Sequence, residues 1–256
     1  MRRSRFPMII LGACLVFFYL PLGVLILNSF NASRFGGGWG GFSWRWYERL
    51  FQDTAIWAAL ANTLIVAVSS TAAATLLGTA AAFALHRWRT RLQSVHYLLI
   101  YTPLVVPEIL MGMSLLILFV SLGIELGLWT VVCAHITFSI SYVALVVLAR
   151  LQDFDESLVE AARDLGAGRW YTLRRVVLPL AAPGIAAGAL LAFTLSVDDF
   201  VVTFFVAGPG ATTLPIQVYS MMRHGSPPVI NALSTLLIAA TFAAVWVSQR
   251  LREKQP

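Results

Sequence analysis

Lysine is almost absent from this chain of 256 residues, the only one being Lys254. That excludes a P-loop, whose Gly-Lys-[Ser/Thr] core places a lysine on nucleotide phosphates, because Lys254 stands between Glu253 and Gln255. Gly208-Pro209-Gly210 has the glycines of a phosphate cradle but neither the lysine nor a following helix start, and reads as a turn. The only cysteines, Cys14 and Cys133, both lie in apolar segments; a disulfide framework is not expected, and both read as packing residues. Leu11-Gly12-Ala13-Cys14 has the look of a lipoprotein cleavage box, yet the apolar run continues uncut to Phe30, longer than a signal-peptide core. The histidines His86, His96, His135 and His224 are scattered without metal-ligand spacing. His135, inside an apolar run, reads as a hydrogen-bonded core residue. No set of nucleophile, base and acid emerges, so no enzyme chemistry is expected of this chain.

Charge is the other scarcity. Only 12% of residues are charged while 59% are hydrophobic, outside the range of soluble domains. No Asp, Glu, Lys or Arg occurs from Thr54 to His86, and between Leu92 and Ala149 only Glu108 and Glu125 do. A helix needs about 20 apolar residues to cross a bilayer, and the backbone's need for internal hydrogen bonds makes helix the default spanning form. Six spans fit: Met8–Phe30, Leu60–Leu85, Val95–Leu122, Trp129–Leu148, Gly184–Ala207 and Val229–Val247. The third is long for one crossing, so tilt or a kink is expected, and Pro103 and Pro107, four apart, would supply the kink. With these spans, 14 of the 18 basic residues fall on the side of both termini and 4, namely Arg34, Arg45, Arg49 and Arg223, on the other. The positive-inside rule then makes both termini cytoplasmic. The net charge of +6 reflects topology, and no nucleic-acid partner is read into it.

Between the fourth and fifth spans lies a polar stretch, Glu160 to Pro179, reading EAARDLGAGRWYTLRRVVLP. Ser157-x-x-Glu160 fits a capping box and Asp153-x-x-Glu156 approximates one. The helix so started runs through Ala161, Ala162 and Leu165 to Gly166, which suits a left-handed terminus. A second amphipathic piece, Trp170 to Val177, is expected to end against Pro179 and Pro183. On composition this loop could simply be solvated, its arginines obeying topology. Its spacing, however, with Glu160-Ala161-Ala162, Gly166, Val176, Leu178 and Pro179, resembles the EAA signature of ABC importer permeases. That resemblance implies an all-α membrane protein of the type I importer (MetI-like) permease fold. It divides the chain into a first helix and external loop (1–55), a permease core of five spans with the cytoplasmic coupling loop at 150–183 (56–250), and a cytoplasmic tail (251–256). It implies that Glu160, Ala161, Ala162, Gly166, Leu178 and Pro179 dock a separate ATPase. ATP and Mg would be held there, with no cofactor or metal on this chain.

Three carboxylates remain inside predicted spans: Glu108 in the third, Asp198 and Asp199 in the fifth, with no Lys or Arg in those spans. Buried acids line a pathway or bind a partner; the alternative is a buried hydrogen-bonded network. Adjacent residues of a helix point roughly 100° apart, so Asp198 and Asp199 cannot both face one narrow pore. Glu108 follows Pro107, where a kink frees carbonyl oxygens. Asn28 to Arg34, Trp44 to Tyr47, Ala134 to Phe138, Leu195 to Phe200, Gly208 to Pro215 and Ile230 to Ser234 together resemble the spermidine/putrescine importer permeases, most of all their C-type subunit. By that resemblance Trp46, Glu108, Ser196, Asp198 and Asp199 lie on the substrate pathway, with Glu108 a longer acid than the expected aspartate. Trp44 and Tyr47 read as interfacial aromatics. The implied machine is a multi-pass protein of the bacterial inner membrane with a sister permease, two ATPase subunits and a periplasmic polyamine-binding protein. The alternatives are a permease of the same fold for ferric iron, sulfate or a phosphonate, and, in another class, an ion-coupled secondary transporter, for which no inverted repeat is evident.

Overall fold

A computed structural model describes residues 6–34, 38–87, 91–152, 155, 157–225 and 227–252. Each long apolar run has become helix, since a helix alone satisfies its backbone within one segment. Among the described residues the exception is an isolated β-bridge between Asn31 and Phe42. The helices are α1 (Phe6–Ser29), α2 (Arg45–Gln52), α3 (Thr54–Arg87), α4 (Gln93–Val105), α5 (Glu108–Ser121), α6 (Leu128–Gln152), α7 (Ser157–Asp164), α8 (Arg169–Thr172), α9 (Leu178–Asp198), α10 (Val201–Val206), α11 (Leu214–Arg223) and α12 (Pro227–Arg252). Among the described residues five helices are long and apolar enough to cross a membrane, or six counting the α4–α5 pair as one span.

The contacts divide the chain into two units, residues 1–57 with 217–256, and residues 58–216. In the first, α12 packs on α1 and α2. The loop entering α2 is tied around Asn31. Its side-chain oxygen accepts from Ser33 N (3.0 Å) and Gly40 N (2.8 Å), and its amide donates to the Gly38 carbonyl (2.9 Å). Gly41, at φ +97°, supplies the left-handed residue that returns the chain. Phe30 stacks on Phe42 with ring centroids 5.4 Å apart, and Trp44 and Tyr47 close on the same ring.

In the second unit α6 is the most enclosed long helix: 61% of its apolar window is buried, against 33% for α3 and 22% for the run ending in α9. Two glycines permit that enclosure. A Cβ on Gly78 of α3 would stand 2.8 Å from the Ile140 carbonyl oxygen, and one on Gly188 of α9 3.3 Å from Val143 Cα. Val143, Val147 and Leu151 on α6 form a core with Ala74, Ala82, Ala181 and Ala192. A second core joins Val131 and Phe138 of α6 to Phe119 of α5 and Val202 and Val206 of α10. The turn at Gly208-Pro209-Gly210, expected as such, closes with Ala211 N donating to the Gly208 carbonyl. Asn62 of α3 clamps it by donating to the Gly210 and Thr212 carbonyls (2.9 and 3.0 Å).

One expectation is sharpened and two need correction. The kink expected in the third span is a full break, a bend of 108° between α4 and α5, while Pro103 stays inside α4. The break sits at Val106 and Pro107, both extended (ψ 129° and 134°), because Pro107 both lacks an N–H and pushes Val106 out of the helical region. The piece beginning near Trp170 does not end at Pro179; Arg169 to Asp198 is one run of helix. A π-turn over Leu173–Val177, with Leu178 N donating five residues back to Leu173 O, re-registers the ladder just ahead of the proline. The fifth span stops at Asp198, and Asp199 is extended (ψ 122°) before α10 begins.

Candidate functional site

The break after α9 and the bend between α4 and α5 lie against the same cleft. It has a volume of about 250 Å³, and its lining includes Pro103, Glu108, Phe138, Tyr142, Asp198, Asp199 and Phe200. Glu108 is exposed at the first position of α5, where the positive helix end favours a carboxylate. Asp198 is exposed at the last position of α9, where the helix adds negative potential to that of the carboxylate. Such an end attracts a cation, as the C-terminal ends of broken helices do in other transporters. Among the described residues lining the cleft there is no lysine or arginine. A larger hollow, about 700 Å³ along α1, is lined by Gly12, Ala13, Val16, Phe17, Phe18, Leu20 and Pro21; it has no ionisable group to work with.

Asp199 has a different environment. Its side chain is only 7% exposed and approaches His135 Nε2 at 3.3 Å. One oxygen accepts from Thr203 N (2.8 Å) and Thr203 Oγ1 (2.7 Å), the other from Val202 N (3.3 Å), so the carboxylate caps α10. On sequence alone the two aspartates diverge as neighbours on one helix; in the structure both line the cleft, with Asp198 exposed and Asp199 hydrogen-bonded. A helix break, rather than the helical screw, separates them.

His135 is 1% exposed. Its Nδ1 lies 2.7 Å from Ser196 Oγ and its Nε2 2.9 Å from Thr203 Oγ1; Ser196 Oγ in turn lies 3.2 Å from Ser70 Oγ. Because the Thr203 hydroxyl donates to Asp199, its oxygen must accept from His135 Nε2–H. The hydrogen-bonded core role expected for His135 is what the structure has. Ser196, assigned to the pathway by resemblance, is 3% exposed within this network.

Trp46 belongs to the other unit and is 2% exposed. Its Nε1 donates to the Asn31 carbonyl at 2.7 Å, while the Arg45 and Arg49 guanidinium carbons sit 4.2 and 5.3 Å from its ring centroid. A pathway tryptophan would offer its aromatic face to an ammonium group; here arginines hold that position. The aromatic residues lining the acidic cleft are Phe138, Tyr142 and Phe200, which sequence reasoning did not single out. The available signal was the spacing of Phe138 and Tyr142, four apart and so on one face of α6.

The polar stretch folds as a hairpin in which α7 packs on α8 and the π-turn. No residue of α7 is buried. Gly166 adopts φ +84°, and Gly166 N donates to Arg163 O (2.8 Å) while Ala167 N donates to Ala162 O (3.0 Å). This is the left-handed Schellman ending expected at that glycine. The start differs: Ser157 lies inside the helix and Asp155 Oδ1 accepts from Ser157 N at 2.9 Å. That contact and the Ser157 side chain hold the Asp155 carboxyl below its ordinary range. The alternative start at Asp153-x-x-Glu156 rests on residues outside those described. Glu160 and Ala161 are exposed and Ala162 half-buried; Leu178 and Pro179 open α9, immediately after the π-turn.

Residues 74–253 match the family described as binding-protein-dependent transport system inner membrane component. Over 237 residues the chain is 44% identical to the spermidine/putrescine transport system permease protein PotC of Escherichia coli (strain K12), spanning 93% of this chain and 90% of that one. It is 42% identical over 264 residues to the putrescine transport system permease protein PotI of the same strain, spanning 99% and 94%. In fold it is similar, at TM-score 0.77, 18% identity and 98% coverage of each chain, to a crystal structure of a bacterial ABC transporter involved in the import of the acidic polysaccharide alginate. The all-helical architecture, the broken helices around an acidic cleft and these likenesses agree: the chain belongs to the family of inner membrane components of binding-protein-dependent transport systems.

Proposed function

We propose that this chain is a permease subunit of an ATP-driven importer that carries polyamines, spermidine or putrescine, across the bacterial inner membrane. The observation that carries the reading is the cleft lined by Glu108, Asp198 and Asp199 with no lysine or arginine among its described lining residues. A polyamine is a flexible chain of protonated amines. Glu108 and Asp198 replace water around one ammonium group, and Phe138 and Tyr142 offer aromatic faces. The names borne by its relatives, at 44% and 42% identity, support this cargo. Trp46 serves the pathway indirectly, by holding the external loop in shape.

The energy comes from elsewhere. A sister permease completes the pathway, a periplasmic binding protein delivers solute to the external loops, and two ATPase subunits bind ATP and Mg beneath. Both termini lie on the ATPase side, as the charge asymmetry requires. The exposed α7 with Glu160, Ala161 and Ala162 seats in the ATPase, and Gly166 with the π-turn ahead of Leu178 and Pro179 passes its movement to α9. Because α9 ends at Asp198, a shift of that helix moves the carboxylate at the cleft.

The test is uptake of labelled spermidine and putrescine by cells carrying the complete set of subunits. The Asp198→Asn variant should reduce uptake roughly tenfold or more, since a hydrogen bond to a charged group is worth about 1.5–3 kcal/mol. Wild-type uptake by that variant, or carriage of anions in place of polyamines, refutes the reading.

A further inference from the structure

We infer that His135 is a positioning residue for transport: it clamps the break between α9 and α10 and so holds the Asp198 carboxylate at the cleft. The inference rests on the polyamine reading above, and one arm of its test does not.

Helix breaks inside a membrane leave backbone groups to be satisfied by neighbours. Here one imidazole, supplied by α6, reaches both sides of the break. Nδ1 meets Ser196 in the last turn of α9 at 2.7 Å, and Nε2 meets Thr203 on α10 at 2.9 Å. The same Nε2 stands 3.3 Å from Asp199, the residue at which the chain leaves the helix. Asp198 is thereby held between two anchors, Ser196 before it and Asp199 after it, while its own side chain stays exposed. The ring itself is 1% exposed and meets no solute; it acts through its neighbours. Packing alone does not account for its chemistry, since an isosteric apolar residue would leave Ser196 short of a partner and break the Thr203 contact.

The experiment uses the complete transporter in proteoliposomes with labelled spermidine. His135→Ala should raise the KM for uptake about tenfold, the scale of one buried hydrogen bond lost from a binding arrangement. His135→Gln, which retains an amide donor and acceptor, should recover most of that loss. The pair His135→Ala with Ser196→Ala should be no worse than His135→Ala alone, because both act through one clamp. An unchanged KM with only the maximal rate reduced, no advantage of Gln over Ala, or additive losses each overturns the inference.

The second arm is independent of cargo. In a background with Cys14 and Cys133 replaced by alanine, Asp198→Cys is labelled with a cationic methanethiosulfonate, with and without His135→Ala. A changed labelling rate supports the clamp, and equal rates overturn it. If the wild-type transporter carries no polyamine, the functional reading fails while this arm still decides on His135.

Discussion

Replacing Asp199 should destabilise the protein, and replacing its neighbour Asp198 should not. Asp199 accepts from Val202 N, Thr203 N and Thr203 Oγ1 and lies 3.3 Å from His135 Nε2, with its side chain 7% exposed. Asp199→Ala removes a cap, costing about 0.5–2 kcal/mol. It also leaves the Thr203 hydroxyl without its buried acceptor, at about 1–3 kcal/mol for a buried group left unpaired. These groups form one network and do not add fully, so about 3 kcal/mol is expected. Asp198→Asn removes a negative charge from the C-terminus of α9, where the helix end is itself negative. The variant should be unchanged or more stable by about 0.3–1 kcal/mol. The assay is denaturant titration of the purified transporter in mixed micelles, with a thermal scan alongside. For a chain of this size each kcal/mol moves the midpoint by about 2–4 °C. Equal stability of Asp199→Ala and the wild type, or a loss in Asp198→Asn as large as that in Asp199→Ala, refutes the division of labour between them.

Glu160→Arg on the exposed α7 should weaken ATPase association without loosening the membrane helices, seen as less ATPase copurifying and less substrate-stimulated ATP hydrolysis. Wild-type levels of both count against the docking role. Gly166→Val forces a β-branched residue to φ +84°, at roughly 1–2 kcal/mol; limited proteolysis should nick the hairpin sooner, and an unchanged cleavage rate would contradict the strain argument. Trp46→Phe keeps the ring but strands the Asn31 carbonyl, at about 1–3 kcal/mol. The residue 30–44 loop should then be cut faster, while the Gly208–Ala211 turn, tied by Asn62 in the other unit, keeps its wild-type rate.

Much of this protein follows from the linear order of its residues. Long charge-free runs determine membrane helices, because solvation of backbone and charge depends on composition along the chain, and a single lysine between Glu253 and Gln255 excludes a P-loop. Gly166 announces its left-handed ending because only glycine takes that conformation freely. The EAA spacing marks its hairpin for the same local reason. What stayed hidden was non-local. Pro107 announces an irregularity, but whether it bends a helix by 20° or 108° depends on what α5 packs against. Pro179 reads as a stop until the π-turn at Leu173–Val177 re-registers the ladder ahead of it. Asp198 and Asp199 are chemically identical neighbours on the wall of one cleft; one is left exposed, and the other lies against His135, 64 positions away in sequence. Only a folded chain brings a histidine of α6 beside the end of α9, and that meeting decides which carboxylate stays exposed.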